Sequence, residues 1–381
     1  MEGHLPMKIA DVKSFLVHPA PHTKGWNISK NLLLVRVETD EGIVGWGEAF
    51  TLRDRETSIA LNIGNLTRYL IGKDPFCIQA FTQWASNVFS EGRGALELYC
   101  AISGIEQALW DIVGKRLNAP VYNLLGGPCR DRIRVYANGW TSGAKTAKEM
   151  ADRAAEVVKM GFTAIKLYPF QNDEPETAIA ENVRAVREAV GPRVDLLIDV
   201  WRQPDPFKAI RVARMIEECS VFWYEEPVPS ENLDILAEVR RSISLPVVTG
   251  ECLYTRAEFR EVFEKRAADI VNPDVASCGG ILELKEIAAM AEPYGVRVSP
   301  HNYNSTAVGL AATLQVSALI PNFVITEYFI NFQEVGNALS RDPFTVEEGY
   351  IRLPSSPGLG IDINQEALKD YTFQEFPRRK W

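Results

Sequence analysis

The sequence predicts an α/β protein: a closed parallel barrel of the TIM type with a smaller α+β domain at its N-terminus. Three observations predict it. The chain has 381 residues, enough for a barrel of about 250 residues plus a second domain. Residues up to about 130 read as strands and then helices, the order of an α+β unit. From about residue 133, short apolar runs alternate eight times with helix-length segments, the pattern of parallel strands joined by helices and closed on themselves.

Taken in order, residues 8–17 and 32–39 have the composition of strands, Asp40-Glu41-Gly42 is a turn, and residues 43–46 return. A helix is expected over 58–70. Another is expected over 95–115, where Ile102, Ile105, Leu109 and Ile112 recur at helical spacing. Gly126-Gly127-Pro128 breaks the pattern and closes a first domain, 1–130. The eight barrel runs are RVYANGW, TAIKLY, VDLLIDV, VFWYEEP, PVVTGE, DIVNPD, RVSPHN and FVITEY, within 131–340. After about 340 the alternation stops. The tail, 341–381, reads as short strands and Gly/Pro turns and is expected to pack back on the N-terminal domain.

Composition narrows the function classes. The net charge is −9 with no basic stripe, which argues against a nucleic-acid partner. No run approaches the roughly 18 apolar residues a membrane helix needs, and residues 1–15 lack an apolar signal core. The six cysteines are scattered without a CxxC pair and read as reduced thiols. A soluble, cytoplasmic protein is expected.

The chemistry is written at the strand ends. Lys166, Asp199, Glu225, Glu251, Asp274, His301 and Glu327 each close one of seven consecutive runs, at separations of 33, 26, 26, 23, 27 and 26 residues. In a parallel barrel those ends converge on the face that carries active sites. Any one of the acids alone is more often a helix cap or a solvated charge, and a lone barrel histidine is more often a hydrogen-bonded structural residue. Seven in register are not, because clustered carboxylates repel unless a cation or a proton intervenes. Asp199, Glu225 and Glu251 offer oxygen only, which suits a hard divalent ion, Mg2+ first and Mn2+ second. Cys252 is expected to point away from Glu251 along the strand. His301 is the only histidine after residue 22 and is the natural general base near neutral pH, with Asp274 placed to orient it. Lys166 can bind a substrate carboxylate, act as a second base or balance the acids. A Schiff-base aldolase built on Lys166 would have no use for the carboxylate triplet, and a non-catalytic sugar-acid sensor would have none for the His–Asp pair.

This constellation resembles the enolase superfamily, mandelate racemase subgroup, over nearly the whole chain. The resemblance rests on VGWGEAF, SGIEQALWDIVGK and LLGG in the first domain, and on IDV, WYEEP, TGE, NPD, SPH and TEY in the barrel. It implies a modified (β/α)7β barrel, a capping domain completed by the C-terminal segment, and a homo-oligomer. It implies metal ligation by Asp199, Glu225 and Glu251 and a His301–Asp274 dyad. It also implies a Glu327 that hydrogen-bonds the intermediate, and substrate-selecting loops near 19–26 and 48–55, with His22, Trp26, Phe50 and Arg53. One departure stands out: the subgroup's Lys-x-Lys is Lys166-Leu167-Tyr168 here, and a phenol with its ordinary pKa is a poor base at pH 7. Trp201, two residues past a metal ligand on the same strand face, stands where related dehydratases carry a histidine and reads as pocket wall.

The expected reaction is proton removal next to a substrate carboxylate, with the metal, Lys166 and a protonated Glu327 stabilising the charge that develops. The superfamily's use of a Lys or His base with Mg2+ is an established pattern. With a single strong base, loss of a β-hydroxyl is more natural than two-sided racemisation. A sugar-acid dehydratase giving a 2-keto-3-deoxy acid is therefore expected, with a racemase, epimerase or cycloisomerase on a carboxylate substrate as the alternative.

Overall fold

A computed structural model describes residues 7–19, 30–169, 174–303, 305 and 307–376. The first domain opens with an antiparallel meander, β1 (Ile9–Val17), β2 (Leu32–Thr39) and β3 (Val44–Ala49). Behind it lie α1 (Glu56–Leu70), α2 (Ile78–Trp84) and α3 (Leu96–Arg116), followed by the single turn α4 (Val121–Leu124). The face of β2 that carries Leu33, Val35 and Val37 is buried against Ile59, Ile63 and Leu66 of α1 and against Ile102, Ile105 and Leu109 of α3, as alternation in the strand and 3.6-residue spacing in the helices require. Almost all of α3 is buried, polar residues included, so this helix is a seam between two bodies and not a surface element.

The barrel follows. Its strands are β4 (Arg132–Asn138), β5 (Ala164–Leu167), β6 (Asp195–Asp199), β7 (Val221–Glu225), β8 (Val247–Thr249), β9 (Ile270–Val271), β10 (Arg297–Val298) and β11 (Thr326–Phe329). They pair in parallel in the order β10-β9-β8-β7-β6-β5-β4-β11. A bridge between Val298 and Phe323, with Val324 N–H donating to the Val298 carbonyl at 2.9 Å, joins the two ends of that order and closes the ring. Seven helices link successive strands: α5 (Ala147–Lys159), α6 (Glu176–Val190), α7 (Pro206–Ile216), α8 (Leu233–Ser242), α9 (Thr255–Lys265), α10 (Ile281–Ala291) and α11 (Ala307–Leu319). The eighth strand is followed by a 3-10 turn (Ile330–Phe332) and the seven-residue α12 (Gln333–Leu339). No described helix is long and apolar enough to cross a membrane.

The tail divides its contacts. Strand β12 (Tyr350–Arg352) adds antiparallel to β4 of the barrel. Beyond it, Leu359 N–H donates to Asp111 of α3, and Tyr371 accepts from His18 beside β1. The segment therefore ties both bodies together and does not lie on the first domain alone.

The barrel lumen explains why the site forms where it does. Side chains two apart on a strand share a face. Tyr136, Ala164, Leu197, Trp223, Ile270 and Ile325 form an apolar layer inside the barrel. Two residues further along the same strands stand Asn138, Lys166, Asp199, Glu225, Asn272 and Glu327. Period two thus stacks a polar layer directly on a dry one, at the C-terminal mouth.

Candidate active site

Lys166, with no solvent exposure, is the hub of that layer. Its Nζ lies 2.9 Å from Glu225 Oε1, 3.2 Å from Asp199 Oδ2 and 3.2 Å from Glu327 Oε1. Burial alone would lower its pKa, but Glu225 and Glu327 hold it well above the ordinary lysine value, so it stays charged. Asp199, Glu225 and Glu251 each present an oxygen within 4.8 Å of the other two, a group able to hold a divalent cation. The oxygens fit such an ion. Asp199 Oδ2 is buried and accepts no hydrogen bond, with the Lys166 ammonium 3.2 Å away. Burial pushes Asp199 upward and Glu225 well upward as protein groups alone, which is the cost a cation removes.

Neighbours fix the three carboxylates. Glu225 accepts from Asn272 Nδ2 at 2.9 Å and from Trp223 Nε1 at 3.0 Å. Trp201 N–H donates to Asp199 Oδ1 at 2.9 Å. Arg202 Nη1 is shared between Glu251 Oε1 at 2.8 Å and Glu226 Oε2 at 3.0 Å. Against the upward push of burial, His301, Arg202 and Lys166 hold Glu251 well below the carboxylate range. Gly250, at φ +138°, turns the chain out of β8. A Cβ there would come within 2.8 Å of Phe259, so only glycine delivers Glu251 to the mouth.

His301 Nδ1 lies 2.6 Å from Asp274 Oδ2, and Asp274 Oδ1 is held by Ala276 N–H at 2.8 Å. That leaves Nε2 facing Glu251 Oε2 at 3.3 Å and Glu327 Oε2 at 3.4 Å. Burial would lower the imidazole pKa, yet Glu327, Asp274 and Glu251 hold it well above the ordinary value. Glu327 accepts from Asn138 Nδ2 at 2.6 Å and Asn302 N–H at 2.9 Å. Burial pushes Glu327 up, but Lys166 and His301 bring it below the carboxylate range. Two cations and two N–H donors thus outweigh burial among the protein groups alone.

A cavity of about 500 Å³ opens on Asp199, Glu251 and His301 and is walled by Phe50, Leu52, Leu96, Tyr168, Trp201, Tyr254 and Tyr303, among others. Tyr168 accepts from Asn138 Nδ2 at 3.1 Å, and burial raises its pKa well above the ordinary value, so it stays a neutral phenol. Trp201 does line the cavity, but not from a strand face. The strand ends at Asp199, and Trp201 and Arg202 take left-handed φ of 43° and 61°. Cys252 lines the same cavity as Glu251, contrary to strand alternation, because the strand has already ended at Thr249. Arg53 lies 5.2 Å from the Phe376 ring and beside Asp54, and is not among the cavity's described lining residues. His22 and Trp26 lie outside the described residues.

Several contributors carry no charge signal in the sequence. Asn138 and Asn272 occupy the same lumen layer as the acids, and period two from Tyr136 and Ile270 would have marked them. Lys30 is buried, donates to Thr51 O at 3.1 Å, and sits over the rings of Phe50 and Tyr303. Burial lowers its pKa to about 8.

Residues 8–126 match the mandelate racemase/muconate lactonizing enzyme N-terminal domain, and residues 149–367 match the enolase C-terminal domain-like family. The chain belongs to the mandelate racemase/muconate lactonizing enzyme family of the enolase superfamily. It is 35% identical to a D-galactonate dehydratase of Variovorax paradoxus, covering 90% of this chain and 91% of that one. It is 34% identical to a D-galactarolactone cycloisomerase of Agrobacterium fabrum, covering 96% and 99%. The fold matches the crystal structure of a mandelate racemase/muconate lactonizing enzyme from Jannaschia sp. with a TM-score of 0.89 and 32% identity, over 97% of this chain and 99% of that one.

Proposed function

We propose that this family member is a Mg2+-dependent sugar-acid dehydratase that converts a 2,3-dihydroxy carboxylate into a 2-keto-3-deoxy acid. The observation that carries the reading is the pairing of one imidazole with one phenol. His301 and Asp274 form a base with its orienting partner on one flank, while Tyr168 on the other is kept protonated by burial. A site with one strong base suits elimination, in which the proton taken from C2 can be returned to the departing C3 hydroxyl as water leaves. A hard divalent ion, Mg2+ before Mn2+, would be held by Asp199, Glu225 and Glu251 and would supply neutralisation of the charge on the substrate carboxylate and around His301.

The residues of the chain do the rest. Lys166 places a permanent positive charge beside Glu225, Asp199 and Glu327 and steadies negative charge as it builds on the substrate. Asp274 fixes the imidazole tautomer so that Nε2 is the proton acceptor. Trp201 forms part of the cavity wall. Several dehydratases of sugar acids are among the similar proteins, acting on D-galactonate, D-gluconate and D-xylonate, which supports the substrate class. The same reading takes 1–130 as cap, 131–340 as barrel and 341–381 as the closing segment of a cytoplasmic homo-oligomer.

The test is a panel of aldonic and aldaric acids with Mg2+, assayed for keto acid. Keto-acid formation from at least one member is the expected result. Exchange of the C2 proton and epimer formation without keto acid would favour a racemase or epimerase. A cycloisomerase, which the similarity to the D-galactarolactone enzyme keeps in view, would open a lactone and leave aldonic acids untouched.

A further inference from the structure

Lys30 is a buried cation without an acid beside it. It stands two residues before β2, is 3% exposed, and forms no ion pair among the described residues. Its Nζ donates instead to two main-chain oxygens, of Thr51 at 3.1 Å and of Tyr303 at 3.5 Å. It lies 4.5 Å from the centre of the Phe50 ring and 4.7 Å from that of Tyr303. Burial lowers its pKa to about 8, against the pull of Asp274, Glu48, Cys100 and Glu56, the titratable groups that face it besides the Tyr303 phenol. A charge stripped of water with no paired carboxylate costs stability, and methionine fills similar space without that cost. Departures of this kind from good packing mark functional positions. What the ammonium joins points the same way. Phe50 and Thr51 belong to the 48–55 loop of the first domain, and Phe50 N–H donates to Ala276 O at 2.9 Å, two residues past Asp274. Tyr303 belongs to the barrel, two residues past His301. The imidazole centre lies 6.4 Å from the Phe50 ring and 6.1 Å from the Tyr303 ring, on which it stacks at 20°. The Phe50 and Tyr303 rings are themselves 6.2 Å apart, so the three rings form one group with Lys30 over two of them.

We propose that Lys30 is a positioning residue, whose ammonium latches the 48–55 loop to the barrel and so sets the Phe50 and Tyr303 rings that seat the imidazole of His301. It acts through those rings and is not itself among the described residues lining the cavity. The two carbonyl contacts tie together the two stretches of chain that carry the rings. The charge turns the ring faces toward it, since a cation is drawn to the face of an aromatic ring and not to its edge. A neutral amine keeps hydrogens for the carbonyls but loses the attraction to the rings and to Asp274, so the latch weakens as pH rises through about 8.

The experiment compares full-length wild type and Lys30→Met, both with Mg2+. Hydrogen exchange followed by mass spectrometry reads the latch with no substrate present. Peptides containing Phe50 and Tyr303 are expected to exchange at least about tenfold faster in the variant, with peptides of α6 to α8 unchanged. In wild type the same two peptides are expected to lose protection between pH 7 and pH 9, after correction for the intrinsic rate, and in the variant to show no such change. The melting temperature of the variant is expected to stay within about 4 °C of wild type or to rise. Turnover is the second readout, and this arm alone rests on the dehydratase reading. With any acid that wild type converts, Lys30→Met is expected to lower kcat about tenfold or more while KM moves less than about threefold. Unchanged loop exchange in the variant, faster exchange spread over the whole chain, or altered loop exchange with kcat intact would overturn the inference. If the variant fails to fold, the wild-type comparison decides, and equal protection of the two peptides at pH 7 and pH 9 overturns it. Loop exchange as expected with no keto acid from any substrate would instead overturn the dehydratase reading and leave the latch standing.

Discussion

Two buried acidic clusters sit about the seam between the first domain and the barrel, and they are satisfied in different ways. On α3, both oxygens of Glu106 and of Asp111 are met by donors, most of them backbone N–H groups. Glu106 accepts from Ile281 N–H at 2.8 Å, Leu282 N–H at 3.0 Å and Trp110 Nε1 at 2.8 Å, and so caps the N-terminus of α10. Asp111 accepts from Trp46 N–H at 2.9 Å, Leu359 N–H at 2.8 Å and Lys115 Nζ at 2.6 Å, joining β3, the tail and α3. Gly280, at φ +105°, leaves the room Glu106 needs, since a Cβ there would lie 2.2 Å from Oε2. At the barrel mouth the acids face one another, their donors are mostly side chains, and Asp199 Oδ2 accepts nothing. A saturated acid holds structure together. An acid with unused lone pairs beside others of its kind is placed to take a cation.

If that distinction is right, perturbing the two clusters separates activity from stability. Removing divalent ions with a chelator is expected to abolish turnover and to leave the circular-dichroism spectrum unchanged, with Mg2+ restoring activity. Residual turnover in chelator would break the comparison on the barrel side. His301→Asn is expected to lower kcat by about 10³-fold or more, with a melting temperature close to wild type. A collapse in stability would mean the imidazole is structural.

On the α3 side the signs reverse. Asp111→Asn leaves two backbone donors and Lys115 competing for one carbonyl oxygen. It is expected to cost about 3 kcal/mol of stability, read as a lowered melting temperature, while kcat/KM of the folded fraction stays within about twofold. The smallest effect belongs to Glu106→Gln. Burial raises the pKa of Glu106 to about 7 from its ordinary 4.5. Between those values the folded chain keeps a proton that the unfolded chain has released, so wild-type stability falls as pH rises through this window and levels off above it. The variant lacks that term. Its melting temperature relative to wild type should therefore climb between about pH 5 and pH 8, by the equivalent of at most about 3 kcal/mol. A pH-independent difference would show that Glu106 is ionised throughout.

The comparison also explains what the sequence makes legible. The eight strands, the two helix-rich segments and the seven polar strand ends follow from alternation and spacing, because a parallel barrel repeats one local rule and brings equivalent positions to one face. Lys166, Asp199 and Glu225 stand out since each replaces an apolar side chain that period two would place in the lumen. The polar layer's uncharged members, Asn138 and Asn272, carry no charge to single them out and are marked only by period two from Tyr136 and Ile270. Trp201 and Cys252 depart from the alternation rule because their strands stop at Asp199 and Thr249, and strand ends are set by turn geometry across the barrel. The divided docking of the tail depends on contacts more than two hundred residues apart, such as Leu359 with Asp111, which no local pattern encodes. The resemblance in SGIEQALWDIVGK points to the capping domain without singling out Glu106 or Asp111; only their bonding shows that both acids are spent on the seam.

The most direct measurement is Mn2+ binding followed by electron paramagnetic resonance or calorimetry on wild type, Asp199→Asn and Asp111→Asn. One ion per chain is expected in wild type, with affinity weakened about 100-fold or more in Asp199→Asn and unchanged in Asp111→Asn. Absence of binding in wild type, or equal affinity in wild type and Asp199→Asn, would contradict the assignment of the barrel-mouth carboxylates as the metal centre.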